Sequence, residues 1–180
     1  MSTKNQPVVK PNHDVIQTLR TAHQNQTQLN LMADQKANIL IGTLVLVCSV
    51  VMTRFLSLTD TNSSELLPLM VFMVLQLIPL VLTVMVLIPK NVINRPSTSI
   101  NEISNPLFFG LFTQFSETEF LEYLKRVLTS NEAARDLLMK DIYQLGQVLR
   151  RKYRLLRLAY LFAMSGVVIP VLLAVVLFWL

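Results

Sequence analysis

Three stretches of this chain, residues 37–53, 66–88 and 158–180, contain no charged residue and are almost wholly apolar. The first continues past Arg54 to residue 57. A helix needs roughly 20 apolar residues to cross a hydrocarbon core, whereas a buried helix of a soluble domain carries only about 10–14 in succession. The expectation is therefore three transmembrane helices, at 37–57, 66–88 and 158–180. They separate an N-terminal tail and helix (1–36), a short loop (58–65) and a longer segment (89–157). The first span begins too far into the chain to read as a secretory signal, and no small-residue cleavage pattern follows it.

Composition agrees. Of the 180 residues, 52% are hydrophobic and 15% charged, against about 25% charged in an average soluble domain. So high an apolar fraction excludes a disordered chain. Cys48 is the only cysteine, which excludes a disulfide-stapled secreted fold. It lies inside an apolar run, where a thiol behaves as a small hydrophobe.

The charges outside the spans orient them. Residues 1–36 carry Lys4, Lys10, Arg20 and Lys36 against two acids, whereas the loop 54–65 carries Arg54 against Asp60 and Glu65. Residues 90–157 carry eleven basic residues against seven acids. Basic-rich segments stay in the cytoplasm, so the N-terminus and residues 89–157 are expected inside, and the loop around Asn62 and the C-terminus in the periplasm. Phe178 and Trp179 then stand at the far interface as an aromatic anchor. The net charge of +5 and the pI near 9.6 follow from this topology. The densest basic run, Arg150, Arg151, Lys152, Arg154 and Arg157, directly precedes a span. There it serves the positive-inside rule and anionic lipid, and no nucleic-acid partner is expected.

The aqueous segments read as helical. Val15, Leu19, Ala22, Gln26, Leu29, Ala33 and Lys36 recur at helical spacing, so one helix is expected to run from Asp14 into the first span. Pro89 and residues 94–97 end the second span. Residues 105–112 then form a short aromatic run, either a buried strand or a loop tucked against the membrane surface. Ser116 and Glu119 have the capping-box form, with Phe120, Leu124, Val127 and Leu128 on the apolar face of the helix they begin. Ser130 and Asn131 offer a break and a second cap. From there Leu137, Leu138, Asp141, Ile142, Leu145, Val148, Leu149, Lys152, Leu156 and Ala159 keep helical spacing. One helix of roughly 75 Å, at 1.5 Å per residue, is expected from Asn131 to the C-terminus, its first half cytoplasmic and its second half the third span. Gly146 is the weak point of the first half, and Pro170 is placed to kink the second. The fold class is thus an all-α membrane protein with a small helical cytoplasmic region between its second and third spans.

Chemistry-bearing patterns are few. His13 and His23, ten residues apart, match no metal-ligand spacing and read as solvent-facing; the four glycines form no nucleotide-binding motif. Glu117, Glu119 and Glu122 suit a helix N-terminus rather than a general acid and base. No catalytic residue, metal site or cofactor is expected, and the protein does not read as an enzyme. Two features stand out. Asp34, Lys36 and Asn38 enter the membrane boundary mid-helix. Lys36 either snorkels to the headgroups or joins Asp34 in binding the segment 90–157, and Asn38 favours a polar partner on another helix. Phe108, Phe109 and Phe112 either fill a small core or, beside basic residues, stack a base whose phosphate is held nearby.

Three stretches carry a resemblance: Met32-Ala33-Asp34-Gln35-Lys36-Ala37-Asn38-Ile39-Leu40; Asn105-Pro106-Leu107-Phe108-Phe109-Gly110; and Asp141-Ile142-Tyr143-Gln144-Leu145-Gly146, continued by Lys152-Tyr153 and Leu156-Arg157-Leu158-Ala159-Tyr160 to Phe162 and Gly166. Over residues 12–180 the chain resembles the transmembrane effectors (PycTM) of Pycsar, a bacterial anti-phage system. The resemblance implies that a partner pyrimidine cyclase makes cyclic CMP or cyclic UMP on infection. The effector senses that messenger and impairs the inner membrane, so that infection is abortive. Nothing in the chain resembles a cyclic-nucleotide-binding β-barrel, so the site must be built differently: it is expected in the segment 90–157, within one protomer or between protomers of a homo-oligomer. The residues expected to hold the messenger are Phe108 or Phe109 for the base and Arg150, Arg154 or Arg157 for the cyclic phosphate. Asp34, Lys36, Asn38, Asp141, Tyr143 and Tyr153 are expected to couple that site to the spans. The competing expectation is a non-signalling membrane scaffold that recruits a soluble partner through the helix at 116–129.

Overall fold

The computed structural model describes residues 12–58, 65–88, 99–103 and 105–179, without the side chains of Asn12, His13 and Phe109. The N-terminal tail, the connection through Pro89 and 94–97, and the loop around Asn62 lie outside these residues. The described chain is helical: α1 (Asn12–Ser57), α2 (Leu66–Leu87), a 3-10 turn (Ile100–Glu102), α3 (Phe109–Phe112), α4 (Glu117–Val127) and α5 (Asn131–Trp179). No strand occurs among the described residues, so the aromatic run at 105–112 is a turn leading into α3 rather than a strand. Helix α1 passes without a break from the polar segment into the first span, and α5 likewise runs through Gly146 and Pro170 into the third.

Three helices are long and apolar enough to cross a membrane. Helices suit such a crossing because each pairs its own backbone groups where no water is present. The protein is an all-α membrane protein.

The chain divides into two compact units, Met1–Gln28 with Asn91–Gln147, and Leu29–Lys90 with Val148–Leu180. We call them the polar unit and the spanning unit.

In the spanning unit, α2 turns Pro68, Phe72, Gln76, Pro79, Thr83 and Val86 inward, a heptad-like spacing. Helix α1 buries Ala33, Ala37, Leu40 and Leu44, and α5 buries Leu156, Ala159, Gly166 and Pro170. Ala37 meets Val86 and Leu156, while Leu40 and Leu44 meet Ala159. As α1 advances from Ala37 to Leu44, its α2 neighbours recede from Val86 and Leu87 to Leu80 and Leu82, and its α5 neighbours advance from Leu156 to Ala159 and Ala163. Helices α1 and α5 therefore run parallel, with α2 antiparallel to both, as three successive crossings require. The small residues at these contacts let backbones approach closely, which is how helices associate in lipid. The outward faces are apolar, with Ile39, Leu46, Val50, Val74, Met164 and Leu172 all exposed, as a hydrocarbon solvent demands.

In the polar unit the core is small. Ile100, Ile103 and Leu111 are buried, with Phe108, Phe115, Phe120 and Tyr123 packed on them. The rings of Phe112 and Phe120 stack with centroids 4.7 Å apart. A Cβ at Gly110 would stand 3.0 Å from the Phe108 ring, so a larger residue there would push that ring by a few tenths of an ångström. Helix α4 starts at the expected capping box. Ser116 Oγ accepts from the Glu119 N–H at 3.4 Å, and Glu119 Oε2 accepts from the Ser116 N–H at 3.0 Å. The Ser116 hydroxyl also donates to Glu119 Oε2 at 2.8 Å, and this bond, with that from the Ser116 N–H, holds the Glu119 pKa below its ordinary value. Arg126 donates to Asn101 Oδ1 at 3.1 Å and ties α4 to the 3-10 turn.

Candidate functional site

The polar unit contains a buried hydrogen-bond network that sequence spacing did not disclose. Asp141 on α5 is 7% exposed and Asn105 is fully buried. Asn105 Nδ2 donates to Asp141 Oδ1 at 2.7 Å and to Gln144 Oε1 at 3.1 Å. Its Oδ1 accepts from the Leu107 N–H at 3.0 Å, an Asx turn of the kind that Asn-Pro initiates; the bond skips Pro106, which has no N–H. On the other side of the carboxylate, His23 Nε2 lies 2.7 Å from Asp141 Oδ2. His23 was expected to face solvent. Its side chain is instead about one-third exposed (35%) and paired, because a carboxylate buried in α5 requires a partner that can donate. The stripe expected on α1 slips after Gln26. It holds at Leu19, Ala22 and Gln26, then passes inward through Asn30 rather than Leu29, and continues at Ala33 and Ala37.

Beside this network, Asp136, Met139, Lys140, Tyr143 and Gln144, on one face of α5, line an open cleft of about 660 Å³. Tyr143 is 68% exposed, so its ring face is available to a flat ligand, and Lys140 supplies a cation one turn away. Gln144 belongs to both features: it lines the cleft and accepts from Asn105. Gln144 thus joins the lining of the cleft to the hydrogen bonds of Asn105 and Asp141, the latter paired with His23 of α1.

The residues expected from sequence are distributed as follows. Phe108 packs on the aromatic cluster of the polar unit, and the Phe109 side chain lies outside the described residues. Arg150, Arg154 and Arg157 are exposed on α5 in the spanning unit. At the boundary of that unit, Lys152 Nζ donates to both oxygens of Asp34 at 2.7 and 2.9 Å, and Lys36 Nζ stands 5.7 Å over the Tyr153 ring. Asp34 and Lys36 thus both contact residues from the end of the segment 90–157, whereas Asn38 is exposed. No group of three or more metal-ligating side chains occurs among the described residues.

The family model of the Pycsar effector protein domain (PycTM) matches residues 17–180. The chain belongs to the Pycsar effector family. The match spans both units, so the network, the cleft and the apolar runs of the three long helices lie inside the family domain. This Pycsar effector is therefore an anti-phage defence effector and a membrane protein. No curated relative and no solved structure matches the chain.

Proposed function

We propose that this Pycsar effector senses a cyclic pyrimidine nucleotide, cyclic CMP or cyclic UMP, made on infection by a partner cyclase, and responds by impairing the bacterial inner membrane. Growth arrest or death of the infected cell then makes the infection abortive. The protein acts as a homo-oligomer and by binding rather than catalysis. The polar unit and the N-terminus face the cytoplasm, where the messenger is made, and the C-terminus faces the periplasm.

The observation that carries this reading is the shared residue Gln144. In the cleft, Tyr143 offers a stacking face for a base and Lys140 a counter-charge for a cyclic phosphate. A ligand there would press on Gln144, and so on Asn105, Asp141 and His23. A ligand that binds one arrangement of this network better shifts the population by its differential affinity. Helices α1 and α5 both enter the spanning unit, and Asp34–Lys152 and Lys36–Tyr153 couple them at its boundary. The ring of Phe108 is engaged in the aromatic cluster, which favours its core role. The exposed Arg150, Arg154 and Arg157 suit either anionic headgroups or the phosphate.

Calorimetry with the full-length protein in detergent tests the assignment. Lys140→Gln and Tyr143→Ala are expected to weaken messenger binding about tenfold or more, about the worth of one charge-assisted bond or one stacked base. Arg154→Gln with Arg157→Gln is expected to change it little. The reverse pattern would move the phosphate to the basic run. Absence of binding by the wild type to either nucleotide would favour the scaffold reading, in which Leu121 and Leu128, exposed on and just after α4, receive a soluble partner.

A further inference from the structure

The middle of the spanning unit holds a feature that a purely structural bundle would not need. Gln76 stands at the midpoint of the 22-residue helix α2 and is 2% exposed. Its Nε2 donates to the Ala163 carbonyl at a long 3.4 Å, and among the described residues no donor reaches its Oε1. A buried polar atom without a partner is costly, and more so in a medium without water. Leucine at this position would seal the bundle better.

Two more residues with incompletely paired carbonyls belong to the same contact. Pro79 in α2 and Pro170 in α5 sit inside helices and have no N–H, so the carbonyls of Leu75 and Gly166 lose their intrahelical donors. These residues touch. A Cβ built on Gly166 would stand 3.1 Å from Gln76 Nε2, 3.3 Å from Gln76 Cδ and 3.4 Å from Leu75 Cβ. Gly166 is what allows α2 and α5 to close here. The seam therefore sets Gln76, whose Oε1 has no donor, beside Leu75 and Gly166, the two residues whose carbonyls lose their usual helical donors, with no charged residue in α2 or in residues 158–179. Neutral oxygens concentrated at mid-membrane are the groups that replace the hydration shell of a cation. Backbone freed from helical pairing at that depth is tolerated where it is buried in protein or lines a water-filled cavity.

We propose that the Gln76–Gly166 seam is a latent permeation site: packed shut at rest, it parts in the activated protein and passes water and small monovalent cations. The proposal rests on the reading that this effector impairs the membrane. It adds the place and the chemical class of what crosses. Closed, the seam is sealed by the close approach at Gly166. Opened by a small separation of α2 from α5, it presents oxygens that water and K⁺ can use, with no fixed charge to repel a cation.

Liposomes loaded with K⁺ and carboxyfluorescein, and carrying the full-length protein, test this. On addition of cyclic CMP or cyclic UMP, the wild type is expected to release K⁺ and retain the dye. Gln76→Leu is expected to slow K⁺ release about tenfold, as loss of a filter oxygen would, with helical content and messenger affinity unchanged. Gly166→Ala, whose methyl must displace the Gln76 amide, is expected to leak K⁺ without messenger. Unaltered release by both variants beside a responsive wild type overturns the seam and leaves the sensing function standing, as does parallel release of dye and K⁺. Leakage by Gly166→Ala beside a wild type silent to both nucleotides keeps the seam and overturns the sensing function. Silence of all three proteins overturns both.

Discussion

The two units of this protein are held together by opposite means. The spanning unit relies on shape: alanines and a glycine on α1 and α5 let three apolar helices close on one another, and few polar contacts lie within it. The polar unit combines a small aromatic core with a buried carboxylate, a fully buried asparagine and a histidine whose hydrogen bonds specify one arrangement. The solvent accounts for the difference. In lipid, burying a leucine against a helix gains little over leaving it in hydrocarbon, so packing decides. In water, burial of Ile100, Ile103 and Leu111 drives collapse, and a polar network fixes which collapsed state is adopted. The unit proposed to sense the messenger is thus the one whose geometry depends on specific hydrogen bonds.

Equal truncations on the two sides test this contrast most severely. Leu111→Ala removes a buried side chain from a water-driven core and is expected to destabilise the polar unit by about 3 kcal/mol. Leu44→Ala, inside the first span, is expected to cost about 1 kcal/mol, because mainly packing contacts are lost in lipid. Thermal unfolding in detergent, followed by circular dichroism and hydrogen exchange, reads both; equal losses would erase the distinction. The polar contacts should rank in the same order. Asp141→Ala leaves Asn105 buried with an unpaired donor and is expected to cost about 2 kcal/mol. Asp34→Asn, at a pair whose carboxylate is partly exposed, should cost under about 1 kcal/mol, and exchange in α3 and α4 should respond to the first alone.

The smallest effect concerns pH. The Glu119 pKa is lowered in the folded protein by its bonds to Ser116. Its stabilising contribution is therefore fully present above the ordinary glutamate range and is lost as pH falls through the depressed folded value. Fraying of the first turn of α4 is expected on acidification, and Ser116→Ala, which removes the hydroxyl and keeps the backbone N–H, should weaken that pH dependence. Persistence of the same titration in Ser116→Ala would mean that another group sets it.

The spans, the two unbroken helices and the α4 cap were legible in the sequence because each depends on local pattern: an uncharged run, a 3.6-residue period, a serine three residues before a glutamate. The α5 stripe through Leu137, Asp141, Lys152, Leu156 and Ala159 was correct for that reason. His23 and Asn105 were not legible as members of a network. His23 lies 118 residues from Asp141, and Asn105 lies 36 residues from it, and nothing local in either reports the other. Lys152 looked like one charge in a basic run until it met Asp34, again 118 residues away.

By itself, the sequence determined how many times the chain crosses a membrane and where helices begin, because solvent and backbone act on every residue whatever its neighbours. Only the tertiary structure decided which polar groups face each other: Asp141 with His23 and Asn105, Asp34 with Lys152, Gln76 against Gly166. A hydrogen bond depends on tenths of an ångström between atoms far apart in the chain, and helix packing alone sets those distances.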